Sequence, residues 1–251
     1  MFEVREVAGL SELEDLYGVV DAVWRPGPDA APVQVELLRA LAHSGNYVAG
    51  AFEDGRMVGV SVGFLAAPPG VSLHSHITGA VRPGAGWALK LHQREWALAR
   101  GLSRITWTFD PLVRRNAHFN LVKLGARPEE YLPSFYGAVE DSINGGDETD
   151  RVLAVWPLND ARVVAAVEGR REAVPDGAVA LGERDGRPVR GEGGGATLLV
   201  AVPEDVRELR RRDRGLAREW RLAVRDVLGG LMADGARVTG FGPGGYVVEA
   251  P

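Results

Sequence analysis

Apolar and polar positions change rhythm along the chain, and each change marks an element. Phe2 to Val7 alternate in the manner of a strand. Ser11 with Glu14 three residues later has the form of a capping box, and it predicts a helix carrying Leu13, Tyr17, Val20 and Trp24 at helical spacing. Pro26 and Pro28 stop that helix, and a second runs through Val35, Leu38 and Leu41 to end near Gly45. The apolar, β-branched runs YVAGAF and MVGVSVGFLA flank Asp54-Gly55, a strong hairpin turn. SLHSHITGAV reads as a further strand, GAGWALKLHQREWALARG as a glycine-led helix ending at Gly101, and SRITWTFDP as the next strand. Arg114 to Leu124 forms a helix with Ala117, Leu121 and Leu124 on one side, and EEYLPSFYG and RVLAVWPL follow as strands.

Residues 1–156 thus run β-α-α-β-β-β-α-β-α-β-β, an α/β (α+β) pattern: a mixed sheet with helices on both faces and at least one parallel step through a helix. Past Pro157 the rhythm differs. Asn159 to Glu168 fits a short helix, VALGERDGRPVRGEGGGA is turn-rich and reads as a hairpin or loop, and TLLVAV is a strand. Pro203 opens a helical stretch in which Leu216, Trp220, Ala223, Val227 and Leu231 keep helical spacing; RVTGF and YVVEA close the chain as short strands. No strong linker sets this part off, so residues 157–251 are expected to be an α/β extension packed on a first domain of residues 1–156, with a separate second domain as the alternative.

Composition narrows the function classes. The chain has 251 residues, 45% hydrophobic and 25% charged, with a net charge of −5 that gives no global electrostatic case for nucleic acid or an anionic membrane. Cysteine is absent, which excludes disulfides, thiolate metal sites and a cysteine nucleophile. The N-terminus MFEVREVAGLSELED is acidic and lacks the apolar core of a signal peptide, and no apolar run approaches a membrane span. A soluble cytoplasmic protein is the expectation. The arginines from Arg207 to Arg225 alternate with Glu and Asp, as on a solvated helix face.

The densest polar cluster is DPLVRRNAHFN, where a strand hands over to a helix. Asp110-Pro111 suits turn initiation, and a solvated first turn accounts for Arg114 and Arg115. It accounts less well for Asn116 and Asn120, four apart and therefore on one helix face. His118 reads as a surface residue. His74 and His76 are two apart on a strand and share a face; a neutral imidazole there suits a base or proton relay, and hydrogen-bonded core or edge histidines are the plainer alternative. No third ligand accompanies the pair, so no metal site is expected.

The element order, with a glycine-bearing loop between a strand and its following helix, resembles the GNAT acyltransferases. The resemblance is densest from His74 to Gly137 and closest to GNAT-like proteins sharing HSHITG, LKLHQREWALARG and WTFDPLVRRNAHFNLVKLGA with a C-terminal extension. It implies a mostly antiparallel mixed sheet flanked by helices. It further implies transfer of acetyl or another short acyl group from an acyl-CoA co-substrate to a small-molecule amine, an amino acid being the narrower form. Cofactor contacts would be Ile77, Thr78, Gly79, Val81, Arg82, Gly84, Gly86, Trp87, Asn116 and Asn120. Catalytic candidates are His74, His76 and Tyr136; Trp24, before RPGPDAAP, would touch substrate, whereas Tyr17 and Tyr131 read as structural. The chain departs from the family pattern twice. The loop VRPGAGWALK is short and puts Val81 or Pro83 where the family keeps Arg or Gln, with Arg82 nearby; and Leu121 stands where the family often has an acidic Tyr. Both departures favour the alternative of a non-catalytic GNAT-like protein that binds a ligand or partner. An acyltransferase acting on a protein or tRNA is a second rival, and a homodimer is left open.

Overall fold

The computed structural model describes residues 2–25, 32–137, 148–171 and 173–251, and the chain divides into two compact units, Met1–Trp107 and Thr108–Pro251. The first unit contains β1 (Glu3–Glu6), α1 (Leu10–Trp24), α2 (Val35–His43), β2 (Tyr47–Glu53), β3 (Arg56–Ala66), β4 (Ser72–Ala80), α3 (Ala85–Ala99) and β5 (Arg104–Phe109), whose last two residues pass into the second unit. Asp54 and Gly55 take φ of 51° and 75°, the left-handed pair a two-residue hairpin requires, and they join β2 to β3 as the Asp-Gly dipeptide predicts.

Strands β1 to β4 pair antiparallel in chain order, and α3 then returns the chain so that β5 lies parallel to β4. One face carries α1 and α2, whose Leu13, Leu16, Val20 and Leu38 pack on Val48, Val60, Val62 and Ile77. The other face carries α3, whose Ala85 and Leu89 pack on Ala51. Pleating separates the two: a Cβ on Gly59 would meet Leu89 of α3, while its neighbour Val60 lies in the α1 core.

Helix α1 starts earlier than its capping box predicts. Gly9 is the N-cap with no side-chain bond, and Leu13 N donates to Gly9 O at 3.0 Å. The first helical turn is therefore already closed when Ser11 is reached, and Ser11 sits inside the helix instead of capping it.

The second unit contains α4 (Arg114–Ala117), a π-helical turn over His118–Lys123, β6 (Arg127–Leu132), β7 (Arg151–Pro157), α5 (Ala161–Val167), β8 (Ala178–Arg184), β9 (Arg187–Arg190), β10 (Thr197–Val200), α6 (Val206–Arg212), α7 (Arg214–Val224), a second π-helical turn over Arg225–Gly229, α8 (Gly230–Ala233), β11 (Arg237–Gly242) and β12 (Gly245–Glu249). β6 and β7 form an antiparallel pair; the other sheet runs β11-β12-β10-β8-β9 with only β10 and β8 parallel. The turn-rich segment after α5 resolves into the β8–β9 hairpin around Asp185-Gly186.

One expectation changes here. Asp110, Asn116 and β7 group with the C-terminal residues, and the compact units part at Trp107/Thr108. Within the second unit Arg210 and Arg221 both reach Asp110 in a buried ion cluster. These two arginines are accordingly buried, not part of a solvated face as their alternation with acids suggests. Among the described residues no helix is long and apolar enough to cross a membrane.

Candidate functional site

In the first unit the site is built around the point where β4 and β5 part. Ser72, Leu73 and His74 pair with Arg104, Ile105 and Thr106, and the pairing then stops while β4 continues to Ala80. On its other edge β4 shifts register against β3: Val62 faces Ile77 while Gly63 faces Ser75, which leaves His76 as the extra residue of a bulge. Among the described residues, positions 75–80 of β4 have no strand partner on the β5 side, where the pairing ends at His74, and the bulge breaks the ladder on the β3 side.

The bulge also sorts the side chains. His74 and His76 both flank the Phe64 ring, at 5.1 and 5.9 Å between centroids, and so share a face. His74 Nδ1 lies 3.1 Å from Thr106 Oγ1, and His76 Nε2 lies 3.3 Å from the carbonyl of Pro32. Burial, with the adjacent His76 and Lys90, pushes the His74 imidazole down to about 4, so it is neutral throughout the physiological range.

The opposite face of β4 holds a network that sequence reasoning missed. Lys90 of α3 is buried, and its Nζ donates to Ser75 Oγ at 2.9 Å and Gln93 Oε1 at 3.1 Å while lying 4.1 Å from the Trp107 ring centroid. Gln93 Nε2 donates to Ser61 Oγ at 3.2 Å, which in turn lies 2.8 Å from Thr78 Oγ1. Every partner of the amine is neutral, and burial lowers it to about 7. A signal existed: Lys90 and Gln93 fall at i, i+3 on the stripe of α3 that also carries Leu89, Trp96 and Ala97, and polar groups on an apolar stripe call for partners.

The junction from β4 into α3 begins with Gly79. A Cβ there would lie 2.4 Å from Trp24 Cη2, so the Trp24 indole rests directly on the strand, backed by the α1 core. Gly84 is the N-cap of α3 at φ 91°, a conformation that favours glycine, and no side chain caps the helix. A Cβ on Gly86 would meet nothing within 4 Å, so the first turn is open. An uncapped helix start of this kind suits an anion. Arg82, the nearby cation, is engaged elsewhere: its Nε donates to Glu53 Oε2 at 2.7 Å. Val81 is exposed and contributes no polar group.

In the second unit, the polar cluster after β5 is mostly architectural. Asp110 caps its own turn through Leu112 N at 2.9 Å, and its two oxygens accept from Arg221 at 2.7 and 2.9 Å and from Arg210 at 2.9 Å. Burial alone would raise its pKa, but the two guanidiniums override it and hold the carboxyl far below the usual range. Tyr246 donates to Pro111 O at 2.8 Å, and Arg114, instead of being solvated, donates to the carbonyls of Val202, Gly242 and Pro243. Asn116 and Asn120 are not on one regular helix: the former lies in α4 and the latter is buried in the π-helical turn. Tyr136 is exposed, its hydroxyl 3.4 Å from Thr108 Oγ1. Tyr131 donates to Asp150 Oδ2 at 2.7 Å, in keeping with a structural role. Among the described residues no group of three or more acidic or histidine side chains could hold a metal ion.

No family model matches the chain, and no curated protein does. Solved structures do. A GNAT-family protein of Desulfovibrio desulfuricans superposes with a TM-score of 0.52 at 18% identity, covering 63% of this chain and 99% of its own. The ribosomal-protein-S18-alanine N-acetyltransferase of Escherichia coli gives 0.51 at 13% identity, covering 64% and 96%. Aminoglycoside 6'-acetyltransferase type Ii gives 0.51 at 13% identity, covering 64% and 98%.

Proposed function

The chain has the GNAT acetyltransferase fold, and from that premise we propose that it is an acyl-CoA-dependent N-acyltransferase acting on the amine of a small molecule. The observation that carries this reading is the end of β4: pairing with β5 stops at His74, a bulge follows, and the strand leads into an open, uncapped helix start at Gly84. Unpaired strand backbone can hydrogen-bond an amide-bearing pantetheine arm, and the open helix turn can receive its pyrophosphate. Ile77, Thr78 and Gly79 would line the arm, and Gly84, Gly86 and Trp87 would meet the phosphates.

In the reaction, the neutral amine attacks the thioester carbonyl, a C–N bond forms, and the C–S bond breaks. Coenzyme A leaves as a thiolate that takes up a proton, and the nitrogen gives up its surplus proton to a base. Backbone N–H groups at the bulge would stabilise the oxyanion, since they are fixed before the reaction starts. His74 is the proposed base, with His76 beside it. It stays neutral to about pH 4, and the nitrogen becomes far more acidic once the C–N bond exists. Trp24 is the proposed pocket wall. Acetyl-CoA with a panel of D- and L-amino acids and simple amines tests the reading; His74→Ala should lower turnover about 10²-fold or more. No turnover on any amine would count against transfer.

One observation favours a second reading, that of a non-catalytic binding protein: Glu53 holds the arginine nearest the helix start. Isothermal titration separates the two, because absence of binding at millimolar acetyl-CoA and CoA removes the enzyme.

A further inference from the structure

The side chain of Lys90 ends where β4 and β5 part. The last pair of those strands joins His74 to Thr106. Ser75 and Trp107 are the next residue on each, and the lysine reaches both: Nζ donates to Ser75 Oγ at 2.9 Å and lies 4.1 Å from the Trp107 ring centroid. All three residues belong to the first unit, as do the bulge and the start of α3. Of the 29 basic residues in the chain, only Lys90 and Lys123 are lysines. The gap therefore holds a cation that can lose its proton, which an arginine would not do.

Five side chains close a ring at this point. Lys90 also donates to Gln93 Oε1 at 3.1 Å, and Gln93 Nε2 donates to Ser61 Oγ at 3.2 Å. Thr78 Oγ1 lies 2.8 Å from Ser61 Oγ and 3.4 Å from Ser75 Oγ. An ammonium only donates, so Ser75 accepts from Lys90 and keeps its own O–H to give away. Ser61, Ser75, Thr78, Gln93 and Trp107 do not ionise. His74, on the opposite face of β4, is the titratable group on which the lysine acts, and the lysine charge disfavours a second charge there. Burial brings the amine down to about 7, so it exchanges a proton readily near neutrality and is a stronger acid than an ordinary thiol at about 8.5. The reaction needs such a donor, because the place where the family resemblance puts an acidic Tyr holds Leu121.

We infer that Lys90 supplies, through the Ser75 hydroxyl, the proton that the departing coenzyme A thiolate takes up. The inference rests on the acyl-transfer reading and adds to it the acid of the reaction. As the C–S bond breaks, sulfur takes the hydroxyl proton of Ser75 and an S–H bond forms. The Ser75 oxygen takes a proton from Nζ in turn, leaving a neutral amine. His74 has gained the proton lost by the acceptor nitrogen, so the charge of the protein is unchanged, and exchange with water returns both groups to their starting states.

The first measurement needs no turnover. Full-length protein made with lysine 13C-labelled at Cε gives two side-chain resonances, assigned with Lys123→Arg at an exposed position. Lys90 is titrated with bound coenzyme A and with the analogue that lacks the sulfur. The sulfur should raise the Lys90 pKa by at least about one pH unit, a tenfold change in proton affinity, and leave Lys123 unmoved. Equal titration with the two ligands overturns the inference alone. Absence of binding removes the acyl-CoA reading and the inference with it. Binding without turnover on any amine ends the transfer reading, while the titration still reads the contact between Lys90 and sulfur.

The second measurement is the pH profile of kcat with acetyl-CoA. Activity of the unaltered protein should fall as pH rises through the Lys90 pKa, because the protonated amine is the working form. Lys90→Met should lose about 10²-fold in kcat, keep KM for acetyl-CoA within about threefold, and lose that falling limb. Lys90→Arg keeps the charge without a releasable proton and should stay low, and Ser75→Ala should fall with it. A falling limb that survives Lys90→Met, or full activity in Lys90→Arg, overturns the inference. Should the variants fail to fold by circular dichroism, the titration of the lysine in the labelled protein decides.

Discussion

Both units bury charged groups, and they do so in opposite ways. The first encloses Lys90 among neutral partners, two side-chain oxygens and an indole face. The second encloses Asp110 between two arginines. Burial works against both charges, but only Asp110 has opposite charges to offset it. The lysine therefore titrates near neutrality, whereas the aspartate is locked in its ionised form. Counter-ions make a buried charge structural; neutral acceptors leave it free to change protonation state. The adjustable group is also the one placed under the β4 bulge, where the proposed chemistry takes place.

The most severe way to break the comparison is Asp110→Asn, which removes the carboxylate charge that Arg210 and Arg221 share. A loss of about 3–5 kcal/mol in urea unfolding is expected, and a loss below about 1 kcal/mol would show that the cluster holds nothing together. The ion pair also predicts acid sensitivity. A carboxyl held below its unfolded value contributes stability above the unfolded pKa and loses it as pH falls, so part of the unfolding energy should vanish below about pH 4 in the unaltered protein and not in Asp110→Asn.

Lys90→Met probes the other side. The folded-state pKa lies below the unfolded one, so the unfolded chain binds more protons between about pH 7 and 10. As pH rises through that window, the unaltered protein should gain stability relative to Lys90→Met. The gain should reach up to a few kcal/mol, since each tenfold change in proton affinity is worth about 1.4 kcal/mol. A pH-independent difference would mean that the amine is as charged inside as outside. Ser75→Ala sharpens the same measurement: with one acceptor fewer, the window should open at lower pH, by less than about one pH unit. The smallest effect concerns the exposed pair at the helix start. Arg82→Ala should not change stability measurably but should weaken coenzyme A binding, and Glu53→Gln should strengthen it by freeing Arg82, each by less than about tenfold. Binding unaffected by either variant would place the phosphates away from α3.

The contrast also explains which features are open to reading in advance. The order of elements through β12 follows from short-range patterns, because apolar periodicity and turn dipeptides such as Asp54-Gly55 act over a few residues. The face shared by His74 and His76 follows from strand alternation and holds across the bulge, since both still flank Phe64. The start of α1 does not follow, because a glycine two residues upstream of Ser11 closes the first turn without a side chain. The spacing of the two asparagines in the second unit predicts one regular helix face, and the π-helical turn moves Asn120 off it.

Legible from the residues alone is therefore the local grammar: strands, helices, the Asp-Gly hairpin and the glycine at the head of α3. Folding sets the electrical character of each charged residue. Asp110 and Arg221 are separated by 111 positions, and Lys90 and Ser75 by 15. A charge reads the same in any sequence, but its pKa and its availability to a ligand depend on desolvation and on neighbours that distant parts of the chain supply.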